Sequence, residues 1–258
     1  MKKSMYRLAL TAIAASLLLI GVSLQASETD DRIGSSAKKS YVFRTYLKGD
    51  DIRILSENGA VTLTGTVSQE SGKSLALDTV AGLPGVKSVD NQLEVKGQVP
   101  AAYSDAWVAA RVKSSLLYHR NVNLAGTKVS AKDGTVTLRG EASNKAQKDL
   151  TTEYAKDAEG VKKVKNEMTI AKKPGKKTVS EKMVDMTEWI DDASITALVK
   201  TTLLYHRSTG GLGTGVETKE GVVTLEGKAK NSAERDLAGK FVSDIRGVKR
   251  VVNNMTIE

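Results

Sequence analysis

The sequence predicts an α+β protein made of three tandem helix-strand-strand-helix-strand repeats, each a three-stranded mixed sheet packed on two helices, after an N-terminal signal peptide. Two recurring phrases predict this class. "NGAVTLTG" at 58–65 returns as "DGTVTLRG" at 133–140 and "EGVVTLEG" at 220–227. "GVKSVDNQLEV" from 85 returns as "GVKKVKNEMTI" from 160 and "GVKRVVNNMTI" from 247. The two phrases keep the same separation in all three places, which indicates an internal repeat.

The first residues predict a signal peptide over 1–26. Three cations precede an uncharged apolar run from Leu8 to Leu24, and small residues follow at Ala26 and Ser27. This is the order of a secretory signal. An uncleaved inner-membrane anchor is the alternative, because about 17 apolar residues lie at the lower limit of what spans a bilayer.

Each repeated phrase predicts a β-hairpin. Apolar residues alternate before the turn at Val129 and Ala131 and after it at Val136 and Leu138, which is typical of half-buried strands. An Asn-Gly or Asp-Gly pair between such strands favours a tight turn. The third copy has Glu220 before its glycine, which predicts a longer or bulged turn there. The glycines predicted to be structural turn residues are Gly59, Gly65, Gly85, Gly134, Gly140, Gly160, Gly221, Gly227 and Gly247.

Two helices flank each hairpin in the sequence pattern. The leading helix of the second repeat places Val108, Val112 and Leu116 on one stripe, and Ser104 or Asp105 is suited to cap its start. A second helix follows the hairpin and leads into the last strand. Because such crossovers are right-handed, the last strand is predicted to lie parallel to the strand before that helix.

The repeats divide the chain into predicted units. The first repeat covers 34–97. Its leading segment is shorter and lacks the "LLYHR" found in the other two, so its leading helix is predicted to be short or partly remodelled. The second repeat covers 103–170 and the third covers 188–258. A basic linker over 171–187 separates them, because proline, glycine and lysine favour an exposed connection.

Charge and cysteine content narrow the function classes. The formal net charge is +9, and residues 98–182 carry seventeen Lys/Arg against nine Asp/Glu. A basic centre favours an anionic partner, which for an exported protein is a phospholipid headgroup or an acidic envelope polymer rather than nucleic acid. The chain has no cysteine, so disulfides and thiolate chemistry are excluded. No repeat supplies a nucleophile with an activating partner, and no cofactor or metal is expected.

The repeated GxVxLxG, followed after a helix by GVxxVxNxLxV, resembles the BON domain. The resemblance covers 34–258, and the signal peptide and tandem copies make the chain similar to the hyperosmotically inducible periplasmic members of that family. It implies a small module without catalytic activity that binds phospholipid membranes in the periplasm and takes part in osmotic or envelope stress. The alternative that it implies is a soluble chaperone or adaptor for unfolded, envelope or outer-membrane proteins.

The leading helices carry the predicted lipid-binding residues. On the second repeat's helix, the buried stripe turns an aromatic and basic mixture onto a flank, which is typical of surfaces that touch lipid headgroups. The same aromatics are equally suited to cover a neighbouring repeat. The candidate lipid-binding residues are Trp107, Arg111, Lys113, Leu117, Tyr118, Arg120, Tyr205 and Arg207.

Two further residue types recur in the repeats. His119 and His206 each end a leading helix, where they complement the helix dipole or belong to the lipid patch; a metal site would need both repeats to come together. Asn91, Asn166 and Asn253 recur in the last strand. Asparagine bonds readily to nearby backbone, so these three are predicted to be structural.

Overall fold

The computed structural model describes residues 28–171, 189–209 and 213–258. The predicted signal peptide over 1–26 and residues 172–187 of the predicted linker lie outside these described residues. The described part contains three α+β repeats that pack against one another. Their helices and strands are numbered below in chain order.

The first repeat begins with a helix longer than its sequence predicts. Its elements are α1 (Glu28–Lys39), α2 (Tyr41–Thr45), β1 (Asp51–Glu57), β2 (Ala60–Val67), α3 (Glu70–Ala81) and β3 (Ser88–Val95). Of the two alternatives for this segment, the short helix is wrong, since α1 has twelve residues and a second helix follows it. The helical conformation is interrupted at Ser40, which adopts an extended conformation and whose side chain accepts a hydrogen bond from Phe43 N. This cap restarts the helix as α2, so the segment does not align with the uninterrupted leading helices of the other repeats.

The second and third repeats share one arrangement. The second contains α4 (Asp105–Leu117), β4 (Thr127–Lys132), β5 (Thr135–Ala142), α5 (Lys145–Lys156), β6 (Lys163–Asn166) and β7 (Thr169–Ile170). The third contains α6 (Asp192–Tyr205), β8 (Gly215–Lys219), β9 (Val222–Glu226), β10 (Lys228–Ala229), α7 (Ser232–Ser243), β11 (Arg250–Asn253) and β12 (Thr256–Ile257).

Each sheet is mixed, as predicted. In the second repeat β4 pairs antiparallel with β5, and β6 pairs parallel with the same strand. The last strand is interrupted after Asn166, whose side chain accepts from Met168 N at 3.0 Å and donates to Lys148 O at 2.9 Å. Asn91 and Asn253 make the equivalent pair of bonds. The recurrent asparagine therefore ties the last strand to the second helix, which is a structural role.

The hairpin turns have the same form in all three repeats. The residue before each turn glycine has positive φ, at 53° for Asn58, 51° for Asp133 and 52° for Glu220. The expectation of a longer or bulged third turn is wrong, because Lys219 pairs directly with Val222. Asp192 holds this turn by accepting from the backbone N–H groups of Glu220 at 2.7 Å and Gly221 at 2.9 Å.

The predicted turn glycines all have φ between +78° and +133°. At Gly140 the backbone also approaches closely, since an added Cβ would lie 1.9 Å from the carbonyl oxygen of Gly126. No side chain fits there without moving the backbone. These glycines therefore shape the hairpins and the helix-to-strand turns. Their backbone conformations are explained by these turns and do not indicate a loop that holds a ligand.

The buried side chains form two clusters rather than three. The second repeat has its own core, to which the third contributes Phe241. The first and third repeats share one continuous core, which Tyr118 of the second repeat also joins. The predicted stripe of Val108, Val112 and Leu116 is buried in the second core. The first and third repeats therefore form one packed body, and the second repeat joins it through the end of α4.

Candidate functional site

The start of α4 is the most accessible part of the predicted lipid patch. Ser104 caps the helix by accepting from Trp107 N at 3.2 Å. The preceding Tyr103 has positive φ and is 66% exposed. Its ring lies 5.0 Å from the half-buried indole of Trp107, centroid to centroid. Two aromatic rings therefore stand together where the helix begins.

Arg111 is held in place by its neighbours. Its guanidinium lies 5.2 Å from the Trp107 ring and 4.4 Å from the ring of Tyr205, and one nitrogen donates to Glu159 Oε2 at 2.9 Å. Tyr103 OH donates to the other oxygen of Glu159 at 2.9 Å. These two donors, Tyr103 first, hold the pKa of Glu159 below its usual value. Arg111 thus joins the second and third repeats, and its charge is already paired.

The end of α4 is not available to a membrane. Tyr118 is 1% exposed, and its ring packs 5.2 Å from that of Tyr46 in the first repeat. Burial raises the pKa of the Tyr118 hydroxyl well above its usual range. Leu117, predicted to face outward, is partly buried against the core that the first and third repeats share. The expectation of an exposed patch is wrong for these two residues, because the first repeat covers them.

Some of the remaining predicted patch residues contact a neighbouring repeat, and the others are exposed. Tyr205 is 3% exposed and lies under Arg111, so it too covers the neighbouring repeat. Arg120 is exposed as a residue, but its guanidinium donates to the carbonyl oxygens of Ser243, Ile245 and Val248. Arg207 and Lys113 are exposed. Trp107, Lys113 and Arg207 therefore keep the accessibility that a lipid site needs, and Tyr103 is added beside Trp107.

The third repeat's leading helix is covered by the first repeat. Nine of the fourteen residues of α6 are buried, compared with five of the thirteen in α4. Its start is bound by the first repeat, since Asp191 Oδ2 accepts from Tyr41 N at 2.9 Å and Ser194 Oγ accepts from Val42 N at 3.1 Å. Lys200 lies 3.5 Å from Asp78. The helix flank that is exposed on α4 is covered by the first repeat on α6.

The two histidines meet at the interface of the second and third repeats. His119 Nε2 and His206 Nε2 lie 3.0 Å apart, and both side chains are 0% exposed. The contact is reciprocal, because Arg120 N donates to Asp244 O at 2.8 Å and Arg207 N donates to Asp157 O at 2.7 Å. Each leading helix thus ends against the segment that follows the other repeat's second helix.

Each imidazole has a carboxylate from the opposite repeat behind it. His206 Nδ1 bonds to Asp157 Oδ2 at 3.2 Å, and His119 Nδ1 lies 3.3 Å from Asp244 Oδ2. Tyr154 OH donates to that same Asp244 oxygen at 2.8 Å. The resulting order is carboxylate, imidazole, imidazole, carboxylate. We call Asp157, His206, His119 and Asp244 the histidine pair cluster.

Aromatic rings enclose the histidine pair cluster. Tyr154 stacks on His119 with centroids 3.8 Å apart, and Phe241 stacks on His206 at 4.2 Å. Burial lowers the pKa of His119 to about 4, and the nearby His206 adds to this while Asp244 opposes it. For Asp157, burial alone would raise the pKa, but hydrogen bonds from His206 and Ser208 outweigh it and the pKa is lowered. The two imidazoles are therefore shielded from solvent, and the lowered pKa keeps His119 neutral near neutral pH.

Reasoning repeat by repeat did not predict this cluster. The histidines and aspartates come together only when two repeats dock, and hydrophobic periodicity carries no information on docking. One signal was nonetheless in the sequence. His119 and Asp157 recur together as His206 and Asp244, whereas the first repeat lacks the histidine and has Gly82 three residues before its turn glycine. A residue pair that two repeats share and the third lacks indicates a contact between those two.

Among residues 28–171, 189–209 and 213–258, no group of three or more His, Cys, Asp or Glu side chains is arranged to hold a metal ion. Within the same ranges, no helix has the length and apolar character needed to cross a bilayer.

Comparison with known proteins identifies one recurring module. The model of the BON domain matches residues 29–97, 104–172 and 191–258. Osmotically-inducible protein Y of Escherichia coli (strain K12) is 32% identical over 143 residues, which cover 54% of this chain and 71% of that protein. The 21 kDa hemolysin of Actinobacillus pleuropneumoniae and the outer membrane lipoprotein DolP of Haemophilus influenzae are each 31% identical over 115 residues. Those matches cover 44% of this chain and 59% of each relative, less than two thirds of their length.

Proposed function

The chain belongs to the BON domain family, and from that premise we propose that it is a non-catalytic envelope protein that binds anionic phospholipid membranes through its second repeat. Two relatives support the envelope setting, since one is named as an outer membrane lipoprotein and another as osmotically inducible. The predicted signal peptide agrees with it. The histidine pair cluster supplies no alternative active site, because its imidazoles are fully buried.

The open start of α4 is the observation that carries this proposal. Tyr103 and Trp107 present adjoining rings there, and Lys113 is exposed two turns further along. Aromatic rings with one polar end favour the level of the lipid headgroups, and an exposed ammonium on the same helix adds attraction to anionic lipid. On α6 the position of Trp107 is taken by Ser194, which bonds to the first repeat. One leading helix of the two is therefore suited to this contact.

Arg111 is assigned a different role from the other basic residues. Its guanidinium is paired with Glu159 and stacks on Trp107 and Tyr205. A paired cation contributes little attraction to a bilayer, so Arg111 acts as a positioning residue for the Trp107 ring. Each free basic residue near an anionic surface contributes about 1 kcal/mol. The membrane association that we propose is therefore reversible and sensitive to salt.

The two tryptophans allow a direct test with a matched control, since the chain contains only Trp107 and Trp189. In the Trp189→Phe protein, Trp107 is the sole indole. Titration with vesicles that contain phosphatidylglycerol should shift its emission to shorter wavelength, and brominated lipid should quench it. Trp189 is 83% exposed at the start of the third repeat. In the Trp107→Phe protein it should show neither change.

The same titration separates the proposal from its alternative. A response of Trp189 without one of Trp107, or no response of either at low salt, would contradict binding through α4. If the protein suppressed aggregation of an unfolded outer-membrane protein in the absence of lipid and bound no vesicles, the chaperone function would replace the membrane one. Phosphatidylcholine vesicles serve as the uncharged control.

A further inference from the structure

The open face of the second repeat's sheet carries an array of cations. Helices α4 and α5 and the apolar side chains of the second core cover the other face of β4, β5 and β6. On the open face, alternation along the strands leaves five basic side chains exposed. They are Lys128, Lys132, Arg139, Lys163 and Lys165, and we call them the basic sheet face.

The strand register arranges the four lysines in two rows on either side of β5, and Arg139 lies on β5 itself. Lys128 pairs with Arg139 across β4 and β5, and Lys132 pairs with Thr135, which in turn pairs with Lys163 on β6. Lys165 pairs with Thr137 in the same way. Adjacent strands are about 4.8 Å apart, so the lysines of β4 and those of β6 flank β5 at a separation of about 10 Å. We call the strip of β5 between these two rows of lysines the channel.

The floor of this channel is polar. Its surface is formed by the hydroxyl side chains of Thr135 and Thr137, with Ser130 paired to Thr137 beside them. Arg139 lies at one end, where its Nε donates to Glu167 Oε2 at 2.7 Å. Hydroxyls between two rows of ammonium groups offer hydrogen bonds as well as charge. No aromatic ring belongs to the face as the register defines it.

The same positions in the other repeats lack this charge. In the first repeat the five positions hold one cation and two carboxylates, namely Arg53, Glu57, Thr64, Ser88 and Asp90. In the third they hold two cations and one carboxylate, namely Gly215, Lys219, Glu226, Arg250 and Val252. The array is therefore a property of the second repeat and not of the module's solvated surface in general.

We propose that the basic sheet face binds an extended acidic polysaccharide chain, which lies along β5 between the two lysine rows. The two-row arrangement fits a linear chain with anionic groups on both sides, and the hydroxyl floor fits a ligand rich in hydroxyls. The face lacks the aromatic rings on which nucleic-acid bases stack. It also lacks the large apolar side chains that enter a bilayer, in contrast to the start of α4. This site is separate from the membrane contact proposed above.

Binding of a heparin oligosaccharide to the full chain tests this inference. Heparin serves as a linear acidic polysaccharide of defined length, and affinity is measured by calorimetry over a series of salt concentrations. The Lys163→Glu/Lys165→Glu protein should lose at least about tenfold in affinity. The slope of log affinity against log salt should also become shallower, because fewer counterions are released.

Lys219→Glu/Arg250→Glu is the matched control. These residues occupy the positions of Lys132 and Lys163 on the third repeat's sheet, and the change in net charge is the same. The control should change affinity less than about twofold, which a general effect of charge would not produce. Exposed side chains are replaced in both variants, and far-ultraviolet circular dichroism checks that each is folded.

Four outcomes overturn the inference. The first is absence of heparin binding at low salt, and the second is an equal loss in the two double variants. The third is tighter binding of a single-stranded oligonucleotide with the same dependence on Lys163 and Lys165, which would assign the face to nucleic acid. The fourth is loss of vesicle binding in Lys163→Glu/Lys165→Glu with heparin binding unchanged. Because the Trp107 emission reports the membrane contact, failure of one proposal is distinguishable from failure of the other.

Discussion

The leading helices α4 and α6 end in the same "LLYHR" but have different surroundings. Arg111 of α4 corresponds in sequence to Leu198 of α6. Leu198 is 0% exposed in the core that the first and third repeats share, whereas Arg111 packs on Trp107 and Tyr205 beside an open surface. The histidine of the motif is used alike in both repeats, whereas the first half of the helix is not.

This difference shows how a repeat protein assigns roles to similar modules. The end of each leading helix joins the second repeat to the third through the histidine pair cluster. The start of α6 then accepts the first repeat, and the start of α4 keeps its aromatic rings at the surface. Interior repeats in such arrays normally lose surface to their neighbours on both sides. Here the second repeat, interior in sequence, keeps both an aromatic helix flank and a basic sheet face.

The largest expected effect concerns the position that distinguishes the two helices. Leu198→Ala should lower the free energy of unfolding by about 4 kcal/mol, because it leaves a cavity in a core that two repeats share. Arg111→Ala should cost about 1 kcal/mol, since it removes a partly exposed pair. Urea unfolding followed by circular dichroism measures both. Equal losses would mean that the first repeat does not cover α6 as the structure has it.

The next effect is a dependence of stability on pH that comes from His119. Its folded pKa of about 4 lies below the ordinary value of 6.5. Between these two values the unfolded chain binds more protons than the folded protein, so stability falls as the pH falls. The full loss is about 3 kcal/mol, reached near pH 4. The lowered pKa of Asp157 acts at more acidic pH, where that carboxylate takes its own proton.

The position of the two histidines indicates which part of the structure loses stability in acid. A hydrogen bond between the two Nε2 atoms requires that one of them carry a hydrogen and the other accept it. Adding a proton to His119 places a positive charge on a side chain that is fully buried between the two repeats. The facing groups that titrate or carry charge are Asp157, Asp244 and Tyr154, and Asp244 only partly offsets the effect of burial on His119. Acid should therefore loosen the interface of the second and third repeats first.

His119→Gln tests the assignment. The substitution should flatten the dependence of unfolding free energy on pH between 6.5 and 4, whatever its effect on stability at neutral pH. Urea unfolding at a series of pH values measures the slope. A slope unchanged from that of the parent protein would remove His119 as its source, and nuclear magnetic resonance of the imidazole protons would then locate the group responsible.

The sequence predicted the repeat class, the order of elements, the mixed sheets and the buried stripes, because each of these follows from spacing within one repeat. Val108, Val112 and Leu116 are buried as their spacing indicated. Tyr118 and Tyr205 were open to two interpretations, since an aromatic on a helix flank is suited to lipid and to protein alike. The structure places both against a neighbouring repeat. Contacts between repeats depend on docking geometry, which hydrophobic periodicity within one repeat does not predict.

A smaller effect should distinguish the two arginines that end the "LLYHR" motifs. Arg120 donates to three carbonyl oxygens of the third repeat, whereas Arg207 makes one side-chain contact with the second repeat, to Lys156 O at 3.4 Å. Arg120→Ala should cost about 2 kcal/mol, the contribution of a charged hydrogen-bond donor. Arg207→Ala should cost less than about 0.5 kcal/mol. Thermal unfolding of the two single variants compares them directly, and a reversed order would show that the interface is less asymmetric than described.

The smallest expected difference lies at the caps of the two helices. Ser104 accepts one backbone bond, from Trp107, whereas Asp191 accepts from Ser194 N at 2.8 Å and also from Tyr41 N of the first repeat. Ser104→Ala should therefore cost about 1 kcal/mol, the usual contribution of a cap. Asp191→Ala should cost about 1 kcal/mol more, because the Tyr41 N–H group loses its partner as well. Hydrogen exchange at the amide of Tyr41 makes the comparison local. Faster exchange is expected in Asp191→Ala alone, and an equal acceleration in both variants would mean that the cap of α6 does not bind the first repeat.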